Sequence, residues 1–263
     1  MNRLLSEIVR YQKKASARKE DGVFLIEGPK MFREAPMDRM KTAVFSESGA
    51  KAYAELLSEA RSYERADGSR IFVSVVKDSE FERISDTKTP QGVLAVLRRY
   101  EYTEEEVLSD PKGLYLILNA VQDPGNVGTI FRSAEAAGAS GLLLDRGTAE
   151  AYHPKVVRAT MGSIFRMKFG IVEDAAKAVE AIRKRGGKVF ASHLQGSVPY
   201  DEADYRGLSA IIVGNESKGI SKELAETADA RVRIPMYGKT ESLNVAMAST
   251  VLLYEALRQR TKA

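Results

Sequence analysis

Apolar residues along this chain fall into short runs separated by longer stretches of mixed polarity, and the alternation persists from end to end. Asn2–Lys19 reads as a helix, with Leu4, Leu5, Ile8, Val9 and Tyr11 on one side and basic residues on the other. Val23–Gly28 is a short buried-type strand closing on glycine, followed by a helical stretch and the strand-like Ala43–Phe45. The pattern then repeats: a helix around Ala50–Arg65, Ile71–Ser74, a helix near Asp78–Ser85 and the strand Gly92–Leu97. The polar, acid-rich stretch that follows, with Asp110-Pro111 and Gly113, has the composition of a linker. The chain is therefore expected to divide into a small α/β domain over 1–100, a linker over 101–113 and a second domain over 114–263. In that second part, Leu114–Leu118, Gly141–Leu144, Val189–Ser192, Ala210–Val213 and Val232–Ile234 read as strands. They alternate with helical Thr129–Ala137, Ala175–Arg185 and Ser221–Thr227, and the chain closes on a long helix, Leu243–Arg260. Strands alternating with helices predict an α/β fold with a parallel sheet covered on both faces.

Composition narrows the chemistry. Cysteine is absent, which removes disulfides, thiolate nucleophiles and Cys-ligated metals and favours a reducing compartment. Histidine occurs only at His153 and His193, too sparse for a His-rich metal site. His153, before Pro154, reads as a surface-loop residue, and His193 as one bordering a strand end. The N-terminal segment is charged throughout and has no apolar signal core, and no run of about 18 apolar residues occurs, so a cytoplasmic protein without a membrane span is expected. The net charge of +4 lies entirely in the first hundred residues, which carry 19 basic against 15 acidic side chains. Arg3, Arg10, Lys13, Lys14, Arg18 and Lys19 lead that excess. Such a segment attracts a polyanion such as RNA, although a solvated helix face has the same composition.

Ligands of parallel sheets bind outside the carboxyl ends of the strands, so the loops there carry the candidate chemistry. The first, Asn119–Arg132, follows a strand and opens a helix. Arg132 stands early in that helix among small and apolar residues, and a charge there needs a partner, either an anionic ligand or the local carboxylate Glu135. The second, Gly214–Ser221, is neither GxxxxGK[ST] nor GxGxxG, so a phosphate cradle gains no support. Two glycines and Ser221 as an N-cap could equally shape a βα turn. The third, Ile234–Ala248, offers Ser242 or Asn244 as the cap of the last helix. Three polar, glycine-containing loops at strand ends in one half of the chain together suggest a cofactor pocket.

Asn126–Ala139 (NVGTIFRSAEAAGA), Ile211–Ser221 (IIVGNESKGIS) and Ile234–Arg260 (IPMYGKTESLNVAMASTVLLYEALRQR) resemble, in order and spacing, the three motifs of the SpoU (TrmH) family of SPOUT RNA 2′-O-ribose methyltransferases. The first hundred residues, with FLIEGPKMFREA (Phe24–Ala35) and TPQGVLAVL (Thr89–Leu97), are similar to the RNA-binding substrate domain, akin to ribosomal protein L30e, that many members carry. The resemblance implies a C-terminal SPOUT parallel-sheet domain with a deep trefoil knot, where periodicity alone gives an open doubly wound sheet. It also implies S-adenosyl-L-methionine as cofactor, RNA as partner and a homodimer with the active site at its interface. By position, Arg132 matches the family's catalytic arginine, Asn126 the asparagine opening that motif, Glu216 the glutamate of the second, and Ser242 and Asn244 the polar pair of the third. Ser192, Gly214, Ile234, Met236 and Leu243 match cofactor-binding positions, while Ala246 stands where many members have a small hydroxyl residue. An arginine acting as base is awkward because a guanidinium holds its proton far above neutral pH. Hydrogen bonding to a substrate phosphate and stabilising the developing alkoxide fits Arg132 equally. Methyl transfer from a sulfonium needs no protein nucleophile, in keeping with a chain without cysteine, and a 2′-hydroxyl acceptor defines the substrate as RNA. The expected activity is therefore ribose 2′-O-methylation of 23S ribosomal RNA, with methylation of tRNA or non-catalytic RNA binding as alternatives.

Overall fold

The computed structural model describes residues 3–261. Contacts group the chain into two compact units, one of Met1–Tyr100 and Glu150–Phe165, the other of Glu101–Ala149 and Arg166–Ala263. The first unit opens with α1 (Arg3–Lys13), α2 (Ala15–Glu20), β1 (Val23–Glu27), α3 (Pro29–Glu34) and β2 (Met40–Ser46). It continues through α4 (Glu47–Ala52), α5 (Ala54–Ser62), β3 (Phe72–Val76), α6 (Asp78–Ile84) and β4 (Val93–Arg98). The second unit begins with α7 (Glu104–Val107), β5 (Leu114–Leu118), α8 (Pro124–Ala136) and β6 (Gly141–Asp145). The chain returns to the first unit for α9 (Pro154–Thr160). It then completes the second with β7 (Phe169–Val172), α10 (Ala175–Lys184), β8 (Lys188–Ser192), β9 (Val198–Pro199), β10 (Ser209–Val213), α11 (Lys222–Thr227), β11 (Ala230–Arg233) and α12 (Val245–Thr261).

In the first unit the strand order is β1-β4-β2-β3, antiparallel except between β2 and β3. β1 and β4 are buried at almost every position, which explains their uninterrupted apolar sequences. Leu5 and Ile8 of α1 complete a core with Val23, Leu25, Val44, Phe81, Leu94 and Val96. Gly92 of the TPQG sequence has φ +74°, and a Cβ there would lie 2.9 Å from the Cα of Gly49. Only two glycines allow that approach, which lets the Ser46 N–H reach the Gly92 carbonyl at 2.9 Å.

The single N-terminal helix expected from periodicity is broken at Lys14, whose backbone is extended. The break turns Arg18 inward, leaving it 1% exposed. Its guanidinium pairs with both oxygens of Glu150, at 3.2 Å from Nε, and donates to the carbonyls of Tyr11 at 2.5 Å and Gln12 at 3.2 Å. Arg18 therefore drops out of the solvent-facing basic segment, and Arg10 is paired with Asp21. Arg18 is buried while Glu150 is partly exposed, and removing the carboxylate leaves a buried charge without its counter-ion. Glu150→Ala is expected to cost about 3 kcal/mol, read as a lower urea midpoint at unchanged slope; an unchanged midpoint would show that Arg18 needs no carboxylate. His153 is not a free loop residue: its Nδ1 accepts from the Lys155 N–H at 3.2 Å and caps α9, with Pro154 in the first turn. Burial and the nearby Arg18 charge hold its pKa below the ordinary imidazole value.

The second unit carries a seven-stranded, wholly parallel sheet in the order β7-β6-β5-β10-β8-β11-β9. β5, β6 and β10 are buried at every position, as strands covered on both faces must be. The two strands not anticipated from sequence, β7 and β9, are the edges. The 101–113 stretch belongs to this unit, with Val107 and Leu108 buried beside Tyr115, Ile117 and Leu143 and a reciprocal Thr103–Glu106 cap on α7. β10 slots between β5 and β8, and β11 between β8 and β9, so strands formed late in the chain separate strands formed earlier. The C-terminal helix α12 packs on α8, where the hydroxyls of Ser133 and Thr250 meet at 2.7 Å. Among the described residues no helix is long and apolar enough to cross a membrane.

Candidate active site

The registers Leu118↔Val213, Ala191↔Ile212 and Ser192↔Val232 bring the carboxyl ends of β5, β10, β8 and β11 to one level. The loops that leave them, beginning at Asn119, Gly214, His193 and Ile234, are therefore neighbours at one edge of the sheet. This is where ligands bind in parallel α/β sheets.

Glu216 is the hub there. Its carboxylate accepts from the N–H of Gln122 at 3.1 Å, the N–H of Asp123 at 3.0 Å and the Asn126 amide Nδ2 at 3.0 Å. Asn126 in turn accepts at Oδ1 from Asn244 Nδ2 at 3.0 Å, and Asn244 Oδ1 caps α12 through the N–H groups of Ala246 and Met247. Asp123 caps α8 by accepting from the Asn126 N–H at 2.9 Å. One residue from each of the three sequence motifs thus meets in a single hydrogen-bonded chain. Gly214 makes the turn possible: a Cβ there would fall 2.5 Å from both the Gly219 oxygen and the Ile220 nitrogen, while Asn215 and Gly219 exchange backbone hydrogen bonds at 3.1 and 2.9 Å. Ser221 caps α11 as its position suggested, accepting from Leu224.

Burial pushes the Glu216 carboxyl up, but hydrogen bonds from Asn126 and from the amides of Asp123, Glu216 and Gln122 outweigh it and hold the pKa below the ordinary value. A carboxylate with a depressed native pKa stabilises the fold above its unfolded pKa and loses that contribution as pH falls through the native one. The link from Glu216 to the 122–126 segment is accordingly expected to be intact at neutral pH and to weaken only below about pH 4.3. Amide exchange at Gln122 and Asp123 should rise in that range in the native chain but not in Glu216→Gln; acid-independent exchange would remove Glu216 as the anchor.

Of the other expected site residues, Arg132 and Ser242 are exposed and stand outside this hydrogen-bonded chain. Glu135, the local carboxylate that could have neutralised Arg132, pairs instead with Arg166 at 2.8 Å. Arg132 lies about 9 Å along α8 from Asn126. Ser192, Gly214, Ile234 and Met236 are half-buried at the sheet edge, and Leu243 is exposed just before α12. His193 accepts from the Gln195 N–H and borders this edge without joining the cluster. Sequence reasoning did not find Asp145 or Asn215. Asp145 accepts from Asn119 Nδ2, the Ala120 N–H and the Thr148 hydroxyl, and Asn215 Nδ2 donates to the Ala120 carbonyl. The positive φ of Ala120 between them has no sequence signal, because alanine rarely adopts it.

A family model described as the SpoU rRNA Methylase family matches residues 113–254. The chain belongs to the SpoU family. Its residues 2–95 also match the MRM3-like substrate binding domain. Among curated SpoU relatives, the 23S rRNA (guanosine(2553)-2′-O)-methyltransferase RlmP of Bacillus subtilis is 37% identical over 180 residues, covering 68% of this chain and 70% of its own. The AdoMet-bound rRNA methyltransferase of Sinorhizobium meliloti superposes with a TM-score of 0.83 at 31% identity, covering 98% of this chain and 95% of that one. The SpoU methyltransferase AviRb of Streptomyces viridochromogenes, solved with AdoMet, superposes over the full length of both chains with a TM-score of 0.88. At 24% identity that second likeness speaks for the two-unit SpoU fold alone.

Proposed function

We propose that this chain transfers a methyl group from S-adenosyl-L-methionine to a ribose 2′-hydroxyl of 23S ribosomal RNA. The observation that carries the reading is the convergence of Asn126, Glu216 and Asn244, one from each motif, at the carboxyl edge of a parallel sheet. The name of the Bacillus subtilis relative supports ribose methylation of 23S RNA, and the match to a substrate-binding domain over 2–95 supports RNA as partner. The same reading places the protein in the cytoplasm.

S-adenosyl-L-methionine, when bound, supplies an electrophilic methyl group. The residues here suit it. Ser192, Gly214, Ile234, Met236 and Leu243 lie at the ends of adjacent strands or at the entry to α12, and none carries a charge. Among the described residues the backbone from Pro235 to Leu243 makes no backbone hydrogen bond, so its C=O groups and the N–H groups from Met236 onward are available to recognise an adenosine. Glu216 and Asn126 hold the first motif against the second, and Asn244 aligns α12 with both. Arg132 then supplies a fixed positive charge that can orient a phosphate and stabilise a developing 2′-alkoxide. Ser242 is proposed to hydrogen-bond the substrate or cofactor beside it. Exposed Met247 and Tyr254 on α12, with Leu243 before it, support a homodimer, for which sedimentation should give twice 29.0 kDa.

Labelled methyl from S-adenosyl-L-methionine should enter unmodified 23S RNA and survive alkaline hydrolysis in a resistant dinucleotide. Label released as mononucleotides would mean base methylation and overturn the reading, and label confined to tRNA would transfer it to the tRNA alternative.

A further inference from the structure

Asp145 closes β6 and is 7% exposed, yet no motif contains it. Its carboxylate is filled by donors: Asn119 Nδ2 at 2.7 Å, the Ala120 N–H at 3.0 and 3.2 Å to its two oxygens, and the Thr148 hydroxyl at 2.9 Å. Ala120 has φ +53°, a left-handed conformation that an alanine adopts only when its surroundings impose it. Its surroundings do so from both ends. Asp145 takes the N–H of Ala120, and Asn215 Nδ2 donates to its carbonyl at 2.9 Å. After Val121, whose N–H donates to the Thr148 hydroxyl at 3.3 Å, come Gln122 and Asp123, whose N–H groups donate to the Glu216 carboxylate. Asn215 is itself the residue before Glu216, and its Oδ1 accepts from the N–H groups of Ser217 and Lys218 at 3.0 Å each. The left-handed turn at Ala120 therefore decides where the Gln122 and Asp123 amides of the first loop point.

We propose that Asp145 is a positioning residue for methyl transfer, forcing the left-handed turn at Ala120 that aims the Gln122 and Asp123 amides at Glu216 and thereby sets Asn126 and α8 in register with the second motif. The reaction it serves is the one proposed above; its effect on Glu216 does not depend on that reading. A purely structural Asp145 would instead stabilise the unit without regard to the conformation at Ala120.

Asp145→Asn replaces one acceptor by a donor in a site that holds only donors. The Glu216 carboxyl, followed by carbon NMR in the protein alone, should then titrate closer to the ordinary glutamate value as its backbone donors turn away. The kcat for methyl transfer should fall about tenfold or more, with the KM for RNA changed less than about twofold. Ala120→Gly removes the steric objection to a positive φ, so both effects of Asp145→Asn should be smaller in an Ala120→Gly background. An unmoved Glu216 titration, or a loss of the same factor in both backgrounds, overturns the proposal. Should Asp145→Asn fail to fold, Thr148→Val removes the hydroxyl that faces Asp145 and the Leu118 carbonyl and accepts from the Val121 N–H, and it should move Glu216 and kcat in the same direction, with the same dependence on residue 120. An unaltered chain that methylates no RNA counts against the methyl-transfer reading, whereas an active one whose Glu216 ignores Asp145 counts against this proposal alone.

Discussion

Replacing Arg132 by alanine is expected to lower kcat about a thousandfold while leaving the affinity for S-adenosyl-L-methionine within about threefold. The separation follows from where the side chain stands. Arg132 is exposed on α8, outside the chain of hydrogen bonds that holds the motifs together, and Glu135, three residues on, is engaged with Arg166. Removing it leaves the packing of α8 on α12 and the loops at the strand ends untouched, since the buried positions of α8 are Val127, Gly128, Ile130, Phe131 and Ala134. What is lost is a positive charge offered to a phosphate or a developing alkoxide. Arg132→Lys should recover little, because an ammonium lacks the planar fork of donors. Single-turnover methyl transfer and calorimetric titration with the cofactor separate the two quantities, and joint loss of both would remove Arg132 from the role assigned to it.

Gly214→Ala should give the opposite signature, with cofactor affinity falling about a hundredfold or more and transfer failing with it. The added methyl group would meet the backbone of Gly219 and Ile220 rather than a flexible side chain, so nothing nearby can step aside. The Asn215–Gly219 bridge must open, and with it go the Glu216 contacts to the first motif. The same Glu216 titration that tests Asp145 should move here too. An alanine variant that binds cofactor normally would show that the loop has a second conformation the contacts do not suggest.

Strands buried on both faces announced themselves in the sequence. β1, β4, β5, β6, β8 and β10 are apolar nearly throughout and their positions were legible to within a residue or two. β7 and β9 were not, because both are short: β7 is four residues interrupted by Gly170, and β9 is two residues ending in proline. Polar composition concealed the anchoring of 101–113, where two buried residues, Val107 and Leu108, suffice to fix the segment. Asn126, Glu216 and Asn244 could be picked out because their motifs are recognisable, and their meeting required the strand order. Asp145 was invisible, since one aspartate closing an apolar strand resembles any strand end. A knot, which the resemblance implies, is a property of the path of the chain and leaves no local trace.

The helix α9 and its flanks carry a consequence for biosynthesis. Glu150–Phe165 is encoded after the first strands of the second unit, yet it belongs to the first and, among the described residues, brings the carboxylate that pairs with Arg18. At about 5–20 residues per second of translation, roughly 3 to 13 s pass between the emergence of Tyr100 and that of Phe165. Throughout that interval the nascent N-terminal unit holds an arginine whose burial would be unfavourable, so it must remain open while the following β-strands appear. Transplanting the first unit between relatives therefore requires moving two separated stretches of gene together, and a simple fusion at residue 100 would leave the transplanted part unfinished.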